Sequence, residues 1–367
     1  MSIFQNLPRP HAFNLTMGLL LSALIAPMIA HAETQDVRPV TAEPHLKNIR
    51  QLTSGGRNAE AYFSFDGLTL VYQSTLGLQD KTPRDCYQIY TMDLDGTNKR
   101  LVSTGFGATT CGYFFPGDRR ILFSSTHMRN PNCPPAPKRT KQYRWALDDY
   151  DIFSAHISGR DLQRLTSTPG YDAEATVSRD GKTIVFTSMR NGDLDIYRMN
   201  IDGTKVTQLT HEIGYDGGAF FSPDNTRIVY RASHPQTPEA RQAYQDLLAQ
   251  NLVEPSNLEI FIMNADGTNQ HPITHNGASN FAPYFFPDNT RIIFSSNVGS
   301  QTTDKSRPTF HLHAITDAGE ALEQITTKGH FNSFPMFSPD GSQLVWVSDR
   351  NATGQREFNV FLADWVP

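Results

Sequence analysis

The sequence has few cysteines, no excess of basic residues and only one long apolar run. Its net charge of −5 lacks the positive footprint of a nucleic-acid-binding protein. It also lacks the Gly-x-Ser-x-Gly elbow of serine hydrolases, the His-Glu-x-x-His pair of zinc proteases and the phosphate loop. These absences argue against nucleic-acid binding and against three common kinds of catalytic site.

The three cysteines, Cys86, Cys111 and Cys133, suit a protein from an oxidising compartment. We expect one disulfide and one free thiol, although three buried thiols are an equal alternative. The sequence does not indicate which two would pair.

The apolar run, residues 13–32, follows a short segment with Arg9 and His11 and ends in Ala30-His31-Ala32. A short apolar core before a small-x-small pattern is typical of a cleaved signal peptide, whereas a membrane anchor is usually longer. We therefore predict a signal peptide at residues 1–32, an N-terminal arm at 33–44, and a periplasmic or secreted mature protein.

A sequence unit then recurs, and its landmark is a Thr or Ser that closes a QLT-like motif. Within each unit the pattern is an apolar strand, an SPDG-like turn, a second strand, a DIY-like strand and an MNxDGT turn. Asp-Gly between apolar runs is a strong hairpin signal, so each unit predicts two hairpins, or four antiparallel strands. The landmarks are Thr53, Ser103, Thr166, Thr210, Thr274 and Thr326.

Six such units predict an all-β fold, a six-bladed β-propeller over residues 45–367. The last unit ends after its third strand, in FNVFLADWVP, and the segment HLKNIRQLT that starts at His45 looks like a fourth strand without a blade. We therefore expect the N-terminal strand to complete the last blade and to close the ring. The alternative is a disordered N-terminal arm.

The FSPDG, DIY and MNxDGT motifs resemble the TolB-like β-propeller repeats, from about Leu46 to the C-terminus. The resemblance implies a propeller fold and an exported envelope protein, but it does not fix a function because propellers carry many activities. Periplasmic TolB has an α/β domain before its propeller. The 11 residues between Glu33 and His45 leave no room for it, so we expect the propeller alone.

Two columns of residues stand where each inner strand begins, at one mouth of the central channel. Residues two apart in a strand share a side, so both columns are expected to ring that mouth. The first column is polar in every unit and suits an architectural role, whereas the second varies and suits a functional one. The first is Asn58, Thr109, Asp172, Asp216, Asn280 and Asn332, and the second is Glu60, Cys111, Glu174, Gly218, Ala282 and Phe334.

The carboxylates Glu60, Glu174 and Asp172 are speculative metal ligands. Hard oxygen ligands of this kind could hold Ca²⁺ or a cationic group of a ligand. The alternative is a set of solvated carboxylates that cap loop amides.

Two units carry long inserts, residues 126–151 and 233–257, between their second and third strands. The first is rich in proline and then basic and aromatic, and the second contains a helix start at Thr237-Pro238-Glu239 with an apolar stripe. We expect both inserts to cover the channel mouth as lids, although simple decoration is the alternative. The basic and aromatic residues are Lys138, Arg139, Lys141, Tyr143, Arg144 and Trp145, and the stripe is Tyr244, Leu247, Leu248 and Leu252.

His127 and His234 begin the two inserts at matching places, as ligand-binding candidates or as structural histidines. The sequence favours a binding module that holds a protein segment, a peptide, a small molecule or a saccharide at the channel mouth, with Arg144, Trp145 and Phe334 among the contacts. One alternative is a hydrolase or lyase that uses the mouth carboxylates with a histidine or a bound cation. Another is an envelope-complex partner that docks through the blade sides or the opposite face.

Overall fold

The computed structural model describes residues 42–77, 83–138, 140, 142–300 and 308–367. The predicted signal peptide, most of the predicted arm, and Arg139 and Lys141 of the first insert lie outside those residues. Within them, six four-stranded antiparallel sheets are formed, so the predicted six-bladed propeller is confirmed.

Each blade runs from an inner strand beside the axis to a short outer strand. In that order, blade I is β2 Asn58–Phe63, β3 Thr69–Leu76, β4 Pro83–Asp93 and β5 Arg100–Leu101; blade II is β6 Thr109–Phe114, β7 Arg120–Ser125, β9 Asp151–His156 and β10 Gln163–Arg164; blade III is β11 Asp172–Val177, β12 Thr183–Ser188, β13 Asp195–Asn200 and β14 Thr207–Gln208; blade IV is β15 Tyr215–Phe221, β16 Arg227–Ser233, β18 Glu259–Asn264 and β19 His271–Pro272; blade V is β20 Asn280–Phe285, β21 Arg291–Ser296, β22 His311–Thr316 and β23 Glu323–Gln324; blade VI is β24 Asn332–Phe337, β25 Gln343–Ser348, β26 Asn359–Trp365 and β1 Leu46–Gln51.

The landmark hydroxyls of the repeat hold the third strand of each blade. Every one of the six is buried and accepts a hydrogen bond from a third-strand N–H, at 2.8 to 3.0 Å. Thr210, for example, accepts from Ile196 at 2.9 Å. The Thr or Ser of the QLT motif therefore recurs because it satisfies a backbone donor inside the sheet.

The N-terminal strand closes the ring, as the sequence predicts. β1 pairs antiparallel with β26, so residues from the two ends of the described chain share blade VI. Just before β1, the Glu43 carboxylate accepts from both terminal nitrogens of Arg350, each at 3.1 Å, and both side chains are almost fully buried. Backbone pairing and a buried ion pair together fix the closure.

A β-bulge interrupts the inner strand of every blade, at its third residue in five blades and at its fourth in blade IV. The residue there has a left-handed backbone, with φ between 48° and 62°, and the strand register shifts around it. These positions are the second column of the sequence: Glu60, Cys111, Glu174, Gly218, Ala282 and Phe334. A bulge re-aims side chains, so the two columns do not share a side.

We predict that Glu43→Gln lowers the free energy of unfolding by about 3 kcal/mol, because it leaves the buried Arg350 guanidinium without its counter-charge. Chemical denaturation measures this change. Lys182→Gln is the control, since its ion pair with Asp180 is exposed and should contribute almost nothing. Equal stability of the two variants would contradict the role of Glu43 in closure.

Candidate functional site

The second column converges on one cavity at the axis, on the side where the inserts lie. All six of its residues line this cavity of about 370 Å³, together with Tyr62, Ala175, Thr176, Phe220 and Arg231. We call it the channel pocket. The bulges explain the convergence, because each turns its own residue of the inner strand toward the axis.

Aromatic side chains close the channel below this pocket. Phe220 contacts Tyr62, Tyr113 and Tyr284, with ring centroids 5.4 to 6.1 Å apart. Beyond them, a second cavity of about 600 Å³ opens between the SPDG-like turns and is lined mainly by aromatic residues and prolines. We call this second cavity the opposite mouth. The channel pocket is therefore a pocket with a floor.

The first column lies between blades and does not line the channel pocket. Its side chains are buried, and they bond to the preceding blade or to their own second strand. Asn58 donates to Phe358 O at 2.8 Å and Asn280 to Leu258 O at 2.9 Å. The structure thus separates this column from the mouth, where the sequence placed it: Asn58, Thr109, Asp172, Asp216, Asn280 and Asn332.

Glu174 is held in the channel pocket by donors from two blades. Its carboxylate pairs with Arg231 and also accepts from the Gly218 N–H at 2.8 Å and the Thr187 hydroxyl at 2.8 Å. The Tyr215 hydroxyl lies 3.2 Å from Glu174 Oε2 and accepts from Arg231 Nε at 2.8 Å. The charge of Glu174 is therefore neutralised by Arg231, and its carboxylate is hydrogen-bonded within the protein.

Arg231 is the pocket residue that sequence reasoning missed. It lies inside the apolar strand β16, where a buried arginine, 6% exposed, is unusual. A charged residue among the apolar residues of a strand is the feature of the sequence that could have indicated a carboxylate opposite Arg231. Its partner, Glu174, comes from the neighbouring blade, which local sequence does not reveal.

The glycines of blade IV make room for this ion pair. A Cβ at Gly217 would lie 2.5 Å from Glu174 Oε2 and 2.6 Å from the Tyr215 hydroxyl. A Cβ at Gly218 would lie 2.9 Å from Arg231 Nη1. Blade IV therefore has Gly218 where blade III has Glu174, because the Glu174 carboxylate and its arginine fill the space.

Glu60, two blades from Glu174, has no comparable set of partners. Its Oε2 atom is shielded from solvent and has no hydrogen-bond partner among the described residues. Burial raises the pKa of Glu60 to about 7. Hydrogen bonding from Cys111 and the charge of Arg231 oppose this rise, and the charge of Glu174 adds to it.

The predicted metal ligands are not brought together. Asp172 accepts from Arg190 at 3.0 and 3.1 Å and from Ser188, inside blade III. No group of three or more His, Cys, Asp or Glu side chains in the described ranges is placed to hold a metal ion. Glu60 and Glu174 therefore share the channel pocket without a third acidic ligand.

The two inserts pair with each other, and we call them together the lid (residues 126–151 and 233–257). Strand β8 Trp145–Ala146 of the first insert pairs antiparallel with strand β17 Leu252–Val253 of the second. Arg144 Nε donates to Glu254 at 2.8 Å beside this ladder. The predicted Leu252 therefore lies in a strand rather than on the helix stripe.

The second insert also contains the predicted helix, α1 Pro238–Leu248, with Thr237 as its N-cap. Tyr244 fixes this helix by donating to Asp193 at 2.6 Å, and Leu248 is buried. The helix is 11 residues long, and no described helix has the length and apolar character that a bilayer crossing needs.

The lid reaches the channel pocket through Trp145. The Trp145 ring lies 5.0 Å from the Arg231 guanidinium carbon and 6.0 Å from the Tyr215 ring. A disulfide, Cys86–Cys133, ties the first insert to β4 of blade I, and Cys111 is free. The sequence predicted either one disulfide and one free thiol or three buried thiols, and the structure has the first arrangement.

The two candidate histidines lie at matching places inside their blades. His127 contacts Ser125 at 2.8 Å and packs on the Phe153 ring. His234 Nε2 lies 2.9 Å from Asp216 Oδ1. Neither lines the channel pocket.

Comparison with known proteins agrees with this architecture. Residues 145–253 match the family model of the TolB beta propeller domain, which confirms the predicted resemblance over that segment. A search of the curated proteins found no match to the sequence.

Solved structures share the fold at low sequence identity. A protein assigned as TolB from Agrobacterium tumefaciens is 18% identical, with a TM-score of 0.56, and the match covers 85% of this chain and 91% of that one. TolB from Acinetobacter baumannii is also 18% identical, with a TM-score of 0.53 and coverage of 84% and 64%. An oligogalacturonate lyase from Vibrio parahaemolyticus is 11% identical, with a TM-score of 0.50 and coverage of 87% and 93%. Such likeness concerns the fold alone.

We predict that Gly217→Ala lowers the free energy of unfolding by about 1–3 kcal/mol, because its methyl group would displace Glu174 or Tyr215. Gly354→Ala is the control, since its nearest neighbour would be 3.5 Å away and neither glycine has a left-handed backbone. Urea denaturation measures both. An unchanged free energy of unfolding for Gly217→Ala would show that the Glu174–Arg231 pair can move to make room for the methyl group.

We predict that Glu60→Gln raises the melting temperature relative to wild type, and more at pH 8 than at pH 5. The folded protein keeps a proton on Glu60 up to about pH 7, whereas the unfolded chain releases it near pH 4.5. Wild-type stability therefore falls as the pH rises through that window. The gap should widen by about 2 °C, and a constant gap in calorimetry would contradict the raised pKa.

Proposed function

We propose that this six-bladed propeller with TolB-like repeats is a binding module that holds its ligand in the channel pocket beneath the lid. The observation that carries this proposal is the convergence of the six variable second-column residues on one cavity with a floor. A concave site lined by apolar side chains and a few polar groups is the usual form of a ligand site. The ligand is a protein segment, a peptide, a small molecule or a saccharide.

The lid supports the same proposal. Two inserts from separate blades meet in the β8–β17 ladder, and Trp145 lies over the Arg231 guanidinium beside the pocket. Long loops that pack on a rigid scaffold are commonly binding elements. Exposed Tyr143 and Met128 add apolar contact surface on the lid itself.

A hydrolase or lyase is the second candidate, and one observation favours it. Burial raises the pKa of Glu60 to about 7, which suits a general acid or base at neutral pH. Two of the groups that the sequence offered for such chemistry are engaged elsewhere: Asp172 with Arg190, and His234 with Asp216. Binding without turnover is therefore the better-supported function.

The cell envelope is the proposed location. The predicted signal peptide and the Cys86–Cys133 disulfide support export into an oxidising compartment. Mass spectrometry of cell fractions tests this: the expected result is a chain that starts near Glu33 in the periplasm or medium. A full-length chain in the cytoplasm would contradict it.

The binding proposal is tested with Ala282→Phe, which fills the channel pocket. Phe334 occupies the equivalent bulge of blade VI, so the fold accepts an aromatic side chain at this position. Tripeptides with charged, polar and apolar side chains, and short neutral and acidic oligosaccharides, are screened by thermal shift. We expect at least one class to raise the melting temperature of wild type and not that of Ala282→Phe.

The control is Leu68→Phe, which places the same side chain at an exposed turn of blade I, away from the pocket. It should leave the thermal shift intact. A shift that survives Ala282→Phe would place binding outside the pocket, and no shift with any class would overturn the proposal. Product formation, followed by mass spectrometry, would favour the enzyme instead.

A further inference from the structure

The channel pocket holds two carboxylates that differ strongly in their hydrogen-bond and charge partners. Glu174 has a guanidinium, a backbone N–H and two hydroxyl groups around it. Glu60 lies in the same cavity, yet its shielded Oε2 has no hydrogen-bond partner in the described part of the chain. A buried acceptor without a hydrogen-bond partner is costly to a fold, and a donor supplied by a ligand would remove that cost.

No basic side chain of the described residues is free to neutralise Glu60 in the pocket. Within the described ranges, Arg231 is the one basic residue that lines the cavity, and it is already bonded to Glu174 and to the Tyr215 hydroxyl. The Trp145 ring covers the same guanidinium. The pocket therefore presents one unneutralised carboxylate rather than a balanced set of charges.

The rest of the cavity is mainly apolar. Ala282 and Phe334 supply the second column on the blades beyond Gly218, and Phe220 forms part of the floor. A ligand that satisfies all of these surfaces needs a hydrogen-bonding cation at one end and an apolar stem beside it. A strongly hydrated small metal ion would match only the first requirement.

We propose that the channel pocket binds a single ammonium or guanidinium group on an aliphatic stem, with Glu60 as its counter-ion and Phe334 and Phe220 against the stem. This inference rests on the proposed binding function and names the ligand chemistry of the same site. A lysine or arginine side chain of a peptide and a free alkyl amine share this chemistry, and the experiment separates the two sources.

The pH dependence of binding follows from the groups that face Glu60. These are Cys111 on β6, Tyr62 on its own strand, Glu174 on β11, Arg231 on β16, and Tyr87 and Tyr150, whose pKa burial also raises. Burial raises the pKa of Cys111 and of Tyr62 well above their usual range, so neither titrates near neutrality. A proton on Glu60 competes with the cation, and with a pKa of about 7 the affinity should rise about tenfold from pH 6 to pH 8.

The test is isothermal titration with two matched pairs of probes. The first pair is n-butylammonium and its neutral analogue n-butanol, and the second is the blocked peptide Ala-Lys-Ala and its Nε-acetyl-lysine form. Wild type should bind the cationic member of at least one pair more tightly than its neutral analogue. Glu60→Gln should weaken cation binding at least about tenfold, or 1.4 kcal/mol, and remove its pH dependence.

Glu320→Gln removes the same charge from an exposed outer turn and should change nothing, which controls for net charge. Glu60→Gln is expected to be at least as stable as wild type, so lost affinity is not lost folding. Binding of the peptide pair alone identifies a protein segment as the source, and binding of the butyl pair alone identifies a free amine.

The inference is overturned if cationic and neutral probes bind alike, if Glu60→Gln binds the cations as wild type does, or if none of the four probes binds. None of these outcomes overturns the proposed binding function by itself. Neutral peptides or saccharides that bind wild type and are blocked by Ala282→Phe would preserve the binding module while removing the cation from it.

Discussion

Closure of the ring is the constraint on which the rest of the structure depends. The second-column residues come from six blades, so they face one another only when the first and last blades meet. That meeting is made by β1 on β26, by the buried Glu43–Arg350 pair, and by Thr53, which accepts from the Val360 N–H at 2.8 Å. The channel pocket is thus a property of the whole circle and of no single blade.

The inner-strand bulge divides structural from functional positions. Ahead of the bulge, buried Asn, Asp and Thr side chains join each blade to its neighbour or to its own second strand, so their chemistry is nearly the same in every repeat. At the bulge, the side chain faces the axis, so residues as different as Glu60 and Phe334 can occur there. One fold can therefore carry many pocket chemistries.

The sequence predicted the blade number, the strand order and the closure, because hairpin signals and repeat landmarks act over a few residues. It also identified the variable column. It placed Asn58 on the same side as Glu60, because a period of two holds only for a regular strand and the bulge breaks it. The lid ladder, the disulfide pairing and the Glu174–Arg231 pair join residues 47 or more apart, and nothing in a local pattern encodes such partners.

The pairing of β1 with β26 has a consequence for biosynthesis. Residues 46–51 are made about 300 residues before residues 359–365, so β1 stays unpaired until β26 has been made. The same delay applies to β8, whose ladder partner β17 is made about a hundred residues later. An incomplete chain therefore exposes an open sheet edge and an uncovered pocket, which makes nascent fragments targets for chaperones and proteases.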